Sequence, residues 1–182
     1  MSGFDEIVEI AKIQKGYIAT YQAPEVSSQL FAHHESAGNL ERIVRGIYRV
    51  EMMPQEEDEE FVVAYLWSRE SGVISHESAL SIHQISDVLA RKTHLTLPPK
   101  EKPIRRETPD WIEIHFGDVG TEDRQWYDVV PVTTPERTLI DVAADAIDPD
   151  LFERALDQAK ERALVRPDFE RHLIRELIMR RR

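Results

Sequence analysis

The run Ser75-His76-Glu77-Ser78 places a nucleophile, a base and an acid within four residues, the side-chain types that acyl-transfer chemistry assembles. Adjacent positions on a helix do not face one another. The chain also contains no Gly-x-Ser-x-Gly turn, the sharp strand-to-helix bend that lifts a nucleophilic serine out of a sheet. Capping accounts for these residues without chemistry: Ser75 reads as the N-cap of a helix over 76–85, with Glu77 in its first turn. The seven histidines raise metal binding next. None is spaced His-x-x-x-His, and His76 and His83 stand two helical turns apart. His94 and His115 fall on strands that pairing would make neighbours, with Glu113 close by; that is a weak site by ligand count. Pro109-Asp110 followed by Glu113-Ile114-His115 faintly echoes a nuclease signature, but the separation is too short and the lysine is missing. The seven glycines do not cluster into a phosphate-cradling loop. The expectation is a non-enzymatic chain with no catalytic residue, no metal and no cofactor.

A second set of residues has the chemistry of nucleic-acid contact. Ser27 opens a helix over roughly 27–37 that closes at Gly38. Leu30 and Phe31 would point inward, leaving Ser28, Gln29, His33 and His34 accessible. Side chains of that kind bond base edges or phosphates when a helix lies in a major groove. Behind it, Leu40-Glu41-Arg42-Ile43-Val44 and Ile47-Tyr48-Arg49-Val50 read as two strands around the tight turn Arg45-Gly46. Arg42 and Arg45 near the tip would reach the phosphate backbone, as would Lys12 and Lys15 at the end of the first helix. The DNA-contacting set is therefore Lys15, Ser27, Ser28, Gln29, His33, Arg42 and Arg45. Within it, Ser28, Gln29 and His33 approach bases, and the three cations approach phosphates.

A formal net charge of −11 opposes this at first sight, since Lys and Arg neutralising phosphates supply much of the affinity for DNA. The charge is segregated, however. The run Glu56-Glu57-Asp58-Glu59-Glu60 concentrates acid. Arg91, Lys92, Lys100, Lys102, Arg105 and Arg106 stand against Glu101 alone, and the tail 160–182 is basic as well. The stretch 100–106 and the C-terminal arginines would add backbone contacts.

The elements that must position these side chains follow from periodicity. Phe4, Ile7, Val8 and Ala11 stripe a helix over 4–15 that Gly16 ends. Thr20 reads as the cap of a short helix over 21–24. Helix, short helix, helix, hairpin is the order of a winged helix-turn-helix over 1–53. Residues 51–60, with Pro54 and the acid run, read as a junction. A mixed α/β domain over 54–182 then starts with an apolar helix, 61–67. Strands are expected over 93–97, 111–116 and roughly 126–132. Thr134-Pro135 and Asp148-Pro149 are strong helix starts, and Arg137 with Asp141 suits an i, i+4 ion pair. After Pro167 a last helix carries Phe169, Leu173, Ile174, Leu177 and Ile178 inward. The fold class is α+β. The longest apolar stretch, 61–67, is far short of the roughly 20 residues a membrane span needs. The N-terminal MSGFDEIVEIAK is acidic and without an apolar segment, and no cysteine is present. These features point to the cytoplasm and away from a membrane.

The chain resembles the AbiEi-type antitoxins of type IV toxin–antitoxin systems. Arg42-Ile43-Val44-Arg45-Gly46-Ile47-Tyr48 resembles the end of their winged helix. Val73-Ile74-Ser75-His76-Glu77-Ser78-Ala79-Leu80 and His94-Leu95-Thr96-Leu97-Pro98 resemble two later motifs. Pro131-Val132-Thr133-Thr134-Pro135-Glu136-Arg137-Thr138-Leu139-Ile140-Asp141 matches the family's most distinctive run. The resemblance implies a repressor of its own operon that binds inverted repeats of double-stranded DNA cooperatively. It also implies a C-terminal antitoxin domain carrying Ser75, His76, Ser78, His94, Thr134, Glu136, Arg137 and Asp141 as signature residues. The functional partner would be a nucleotidyltransferase-like toxin, opposed without a stable complex. The residues themselves leave a second reading open, a winged module for protein–protein contact without tight DNA binding.

Overall fold

The computed structural model describes residues 3–86, 90–102, 106–145 and 148–180, with the backbone alone at Arg180. The fold is α+β: the described residues form seven α-helices and two sheets, and the chain divides into two compact units, Met1–Ser71 and Gly72–Arg182.

The first unit opens with α1 (Gly3–Lys12), which buries Ile7 and Ala11. Lys15 and Gly16 then turn left-handed, with φ of 54° and 87°, and the Gly16 amide donates back to the Ala11 carbonyl at 2.8 Å. A side chain at Gly16 would meet Met53 Cβ at 3.2 Å. Next comes β1 (Tyr17–Ala19), a short strand where sequence patterning offers no alternation to read, and a single 3-10 turn over Thr20–Gln22. The cap of that turn is Ala19 rather than Thr20. Helix α2 (Ser28–Ser36) begins as expected, with Ser27 Oγ accepting from the Leu30 amide at 3.3 Å. The hairpin of β2 (Leu40–Val44) and β3 (Ile47–Val50) turns at Arg45-Gly46, where Gly46 takes φ 81°. Sheet order is β1-β3-β2, antiparallel throughout. Ile7, Ile18, Phe31, Leu40, Tyr48 and Val50 form the core.

Helix α3 (Glu59–Trp67) belongs to this unit and not to the next. The compact division falls after Ser71, whereas the proline and acid run suggested a boundary at 53/54. The reason is bonding. Tyr17 donates its hydroxyl to Glu59 Oε2 at 2.6 Å, and Tyr21 donates to the Leu66 carbonyl at 3.2 Å. Gln22 Nε2 donates to Glu70 at 2.8 Å.

The second unit is built on a five-stranded mixed sheet of order β6-β5-β4-β8-β7. Its strands are β4 (Val73–Ile74), β5 (Thr93–Leu97), β6 (Ile112–Phe116), β7 (Arg124–Tyr127) and β8 (Val130–Thr133). The one strand expected over 126–132 is thus a hairpin, because Asp128 adopts a left-handed φ of 51° and turns the chain. Helices α4 (His76–Ile82), α5 (Pro135–Ala144), α6 (Pro149–Glu161) and α7 (Phe169–Arg180) complete the unit. Thr134 and Asp148 cap α5 and α6, each with proline at the first helical position after it. Leu80, Ile85, Leu139, Ile140, Ala155, Phe169 and Leu173 make the core. Ile174 and Ile178, expected inward, are 59% and 53% exposed. The buried stripe of α7 runs through 169, 173 and 177, and the neighbouring stripe faces out. Among the described residues, no helix is long and apolar enough to cross a membrane.

Candidate functional site

Two places collect candidate side chains, one in each unit. In the first, α2 exposes Ser28, Gln29, Ala32, His33 and Ser36, positions that lie on one helical face. Phe31 is buried beneath it. His34 leaves that face: it stacks on Phe4 at 3.9 Å between ring centroids, and its Nδ1 meets Asn39 Nδ2 at 3.2 Å. Ser27 is exposed, its hydroxyl occupied as the helix cap. Arg42 and Arg45, on β2 and at the turn, are both exposed. Strand β2 is one of the two sheet edges, and a bulge between Arg42 and Val44 interrupts its pairing.

Other cations of this unit are engaged. Lys15 donates to the Glu57 carbonyl at 3.2 Å and lies 3.8 Å from Glu56, its side chain only 13% exposed. The start of the acid run is therefore its partner, and Lys15 is not presented to solvent as a phosphate contact requires. Lys12 pairs with Glu9 at 2.5 Å. Arg49 is buried and clamped by Glu41 and Glu51 at 3.0 and 2.9 Å.

In the second unit the residues of the sequence motifs sort into fasteners and a cluster. Arg137 Nε donates to both oxygens of Asp141, at 2.9 and 3.0 Å, and Nη1 donates to Asp123 at 2.8 Å. The pair is buried and holds the guanidinium firmly charged against the cost of burial. Glu136 accepts from the Arg166 amide at 2.7 Å and pairs with its guanidinium at 3.0 Å. Ser78 Oγ accepts from the His94 amide at 2.9 Å and donates to the Lys92 carbonyl, fixing α4 to β5. Lys100 lies within a 3-10 turn (Pro99–Glu101) and Lys102 follows it, its ammonium 4.2 Å over the Phe116 ring. Arg105, Arg181 and Arg182 lie outside the described residues.

Ser75 precedes α4 but does not cap it with its side chain. Its Oγ instead accepts from Thr96 Oγ1 at 2.7 Å and meets His76 Nδ1 at 2.9 Å. His76 is buried and takes φ 50°, a left-handed conformation costing a β-carbon-bearing residue about 1–2 kcal/mol. Its ring lines a cleft of ≈ 90 Å³ together with Glu77, His94, His115, Val142 and Asp145. His115 stacks on His76 at 3.5 Å with planes 13° apart. Asp145 Oδ2 lies 3.4 Å from His76 Nε2 and 3.1 Å from His115 Nδ1. His94 Nδ1 meets His115 Nε2 at 3.0 Å, and its own Nε2 stands 3.7 Å from Glu77. Burial first, and then His115, push the His94 imidazole below its ordinary pKa. Glu113 is held below its own by the hydrogen bond from Lys92 at 2.9 Å.

Pairing of the strands bearing His94 and His115 was legible, since parallel register places Thr96 opposite His115 and His94 opposite Glu113. The share of His76 and Asp145 was not, because they come from the start of α4 and the end of α5. Only the alternation of His94, Thr96, Glu113 and His115 onto one sheet face hinted at a polar patch.

No protein-family profile matches the chain, and no curated protein is similar to it. Among solved structures, the crystal structure of RV2827C protein from Mycobacterium tuberculosis is similar in fold, with a TM-score of 0.51 at 13% sequence identity. The similarity covers 94% of this chain and 75% of that one.

Proposed function

We propose that this protein is a non-enzymatic DNA-binding regulator whose first unit is a winged helix, with α2 entering the major groove and the β2–β3 hairpin lying along the phosphates. The observation that carries the reading is one surface pattern. Ser28, Gln29 and His33 are exposed together on α2, and Arg42 and Arg45 are exposed on the hairpin that follows it. Short polar side chains on a helix suit base edges, and cations on a flexible ribbon suit backbone oxygens.

With the AbiEi-type resemblance added, the reading becomes an antitoxin that represses its own operon through inverted repeats and counteracts a nucleotidyltransferase-like toxin. In that reading the signature residues Thr134, Glu136, Arg137 and Asp141 maintain the second unit rather than contact a ligand. Their caps and ion pairs support this role.

Fluorescence-anisotropy titration against the DNA upstream of its own gene tests the proposal. Arg42→Ala and Arg45→Ala should each weaken binding and reduce the slope of log K against log salt by about one unit. An unchanged slope removes the hairpin from the interface. A protein-contact module is the second reading. It is favoured by Lys15, whose ammonium is turned to Glu56 and the Glu57 carbonyl instead of outward. Failure to bind that DNA at low salt would decide for it.

A further inference from the structure

We propose that His76, His115 and Asp145 form a binding site for a divalent transition-metal ion of zinc type in the second unit. Their ligand atoms all lie within 4.8 Å of one another. One carboxylate oxygen stands 3.4 Å from His76 Nε2 and 3.1 Å from His115 Nδ1. A tetrahedral ion with metal–ligand distances of about 2.0–2.1 Å sets its ligand atoms about 3.3 Å apart along each edge. Two edges of that figure are already drawn.

The outer partners match what metal-bound imidazoles require. A ligating histidine gives one nitrogen to the ion and the N–H of the other to a neighbour that fixes its tautomer. For His76 that neighbour is Ser75 Oγ at 2.9 Å, itself held by Thr96. For His115 it is His94 Nδ1 at 3.0 Å. Each ring thus has its second nitrogen engaged, leaving the nitrogen that faces Asp145 to donate its lone pair. The rings lie 13° from parallel. Because an imidazole holds a metal in its ring plane, coordination would swing them apart about Cβ–Cγ.

Asp145 argues independently for a cation. It is the C-terminal cap of α5, where the negative end of the helix dipole disfavours a carboxylate. A bound cation offsets that. Two imidazoles and one carboxylate select zinc and its transition-metal neighbours over magnesium or calcium. Glu77 and His94 line the same cleft, and three protein ligands leave a fourth position to water or an incoming ligand. The inference stands apart from the DNA-binding reading and survives its failure.

The test uses the full chain without a histidine tag, stripped with chelator and titrated with Zn²⁺ by calorimetry, and with Co²⁺ by visible absorption. The expected result is one saturable ion per chain and a cobalt spectrum of tetrahedral type. Asp145→Asn should weaken zinc binding at least about tenfold, the lower bound set by the loss of even an outer-shell partner. Asp145 is half-exposed, so this variant keeps its fold even if His115→Gln does not. Glu153→Gln on α6 should bind as the parent does. Absence of saturable binding, or binding unaltered by Asp145→Asn, overturns the site.

Discussion

Arg137 and Asp141 illustrate how a charged pair survives burial. Asp141 is 3% exposed and receives both Nε bonds, while Asp123 takes Nη1 from the rim. Removing Asp141 leaves the buried guanidinium with Asp123 alone, and breaking a buried pair costs about 3–5 kcal/mol. Asp141→Ala should therefore lower the unfolding free energy by about 3 kcal/mol in urea titration, and a loss below about 1 kcal/mol would place the pair among weak surface bridges. His83 supplies the pH dependence. It is buried, Nε2 meets the Thr133 carbonyl at 2.7 Å, and burial pushes its pKa below the ordinary 6.5. The folded state keeps this ring neutral while the unfolded chain protonates it, so stability present above the ordinary pKa is lost as pH falls below it. Melting temperature should drop between about pH 7.5 and about pH 5.5, and His83→Gln, which retains an N–H for Thr133, should shrink that drop.

At the scale of the element, the hairpin and the turn after α1 depend on backbone that only glycine adopts without strain. Gly46 has φ 81°, and a β-carbon there would stand 3.3 Å from Thr20 Oγ1. Gly16 has φ 87° and would meet Met53 at 3.2 Å. Gly46→Ala should destabilise the first unit by about 1–2 kcal/mol and weaken DNA binding as the strands lose register. Urea melts with anisotropy on the same samples check both effects, and full retention of both would show that the turn conformation does not govern the hairpin. In the second unit the matching devices are the Thr134 and Asp148 caps, each followed by proline. They set where α5 and α6 begin.

For the whole molecule the main correction is the boundary. Helix α3 buries Phe61, Val62, Val63, Ala64, Leu66 and Trp67, and a helix apolar on every side cannot face water. Its polar ends are tied to Tyr17, Tyr21 and Gln22 of the first unit. A fragment ending at residue 71 should therefore unfold cooperatively with dispersed amide resonances, while one ending at residue 53 should not. Equal behaviour of the two fragments would return α3 to the second unit. Such a helix is hard to assign from sequence, because with no polar face it gives no sign of which neighbour it packs on.

Local rules alone determined the hairpin at Arg45-Gly46, the caps at Ser27, Thr134 and Asp148, and the ion pair of Arg137 with Asp141. Each is written within a few residues, where backbone geometry and helical spacing leave little choice. The three-residue β1 and two-residue β4 were invisible, since strands that short are stabilised only by partners distant in the chain. So was the turning of Ser75 from capping to Thr96, and of Lys15 to the acid run. The gathering of His76, His115 and Asp145 belongs to tertiary structure entirely. Three elements separated by dozens of residues must pack before their side chains share a cleft, and no spacing rule spans that distance.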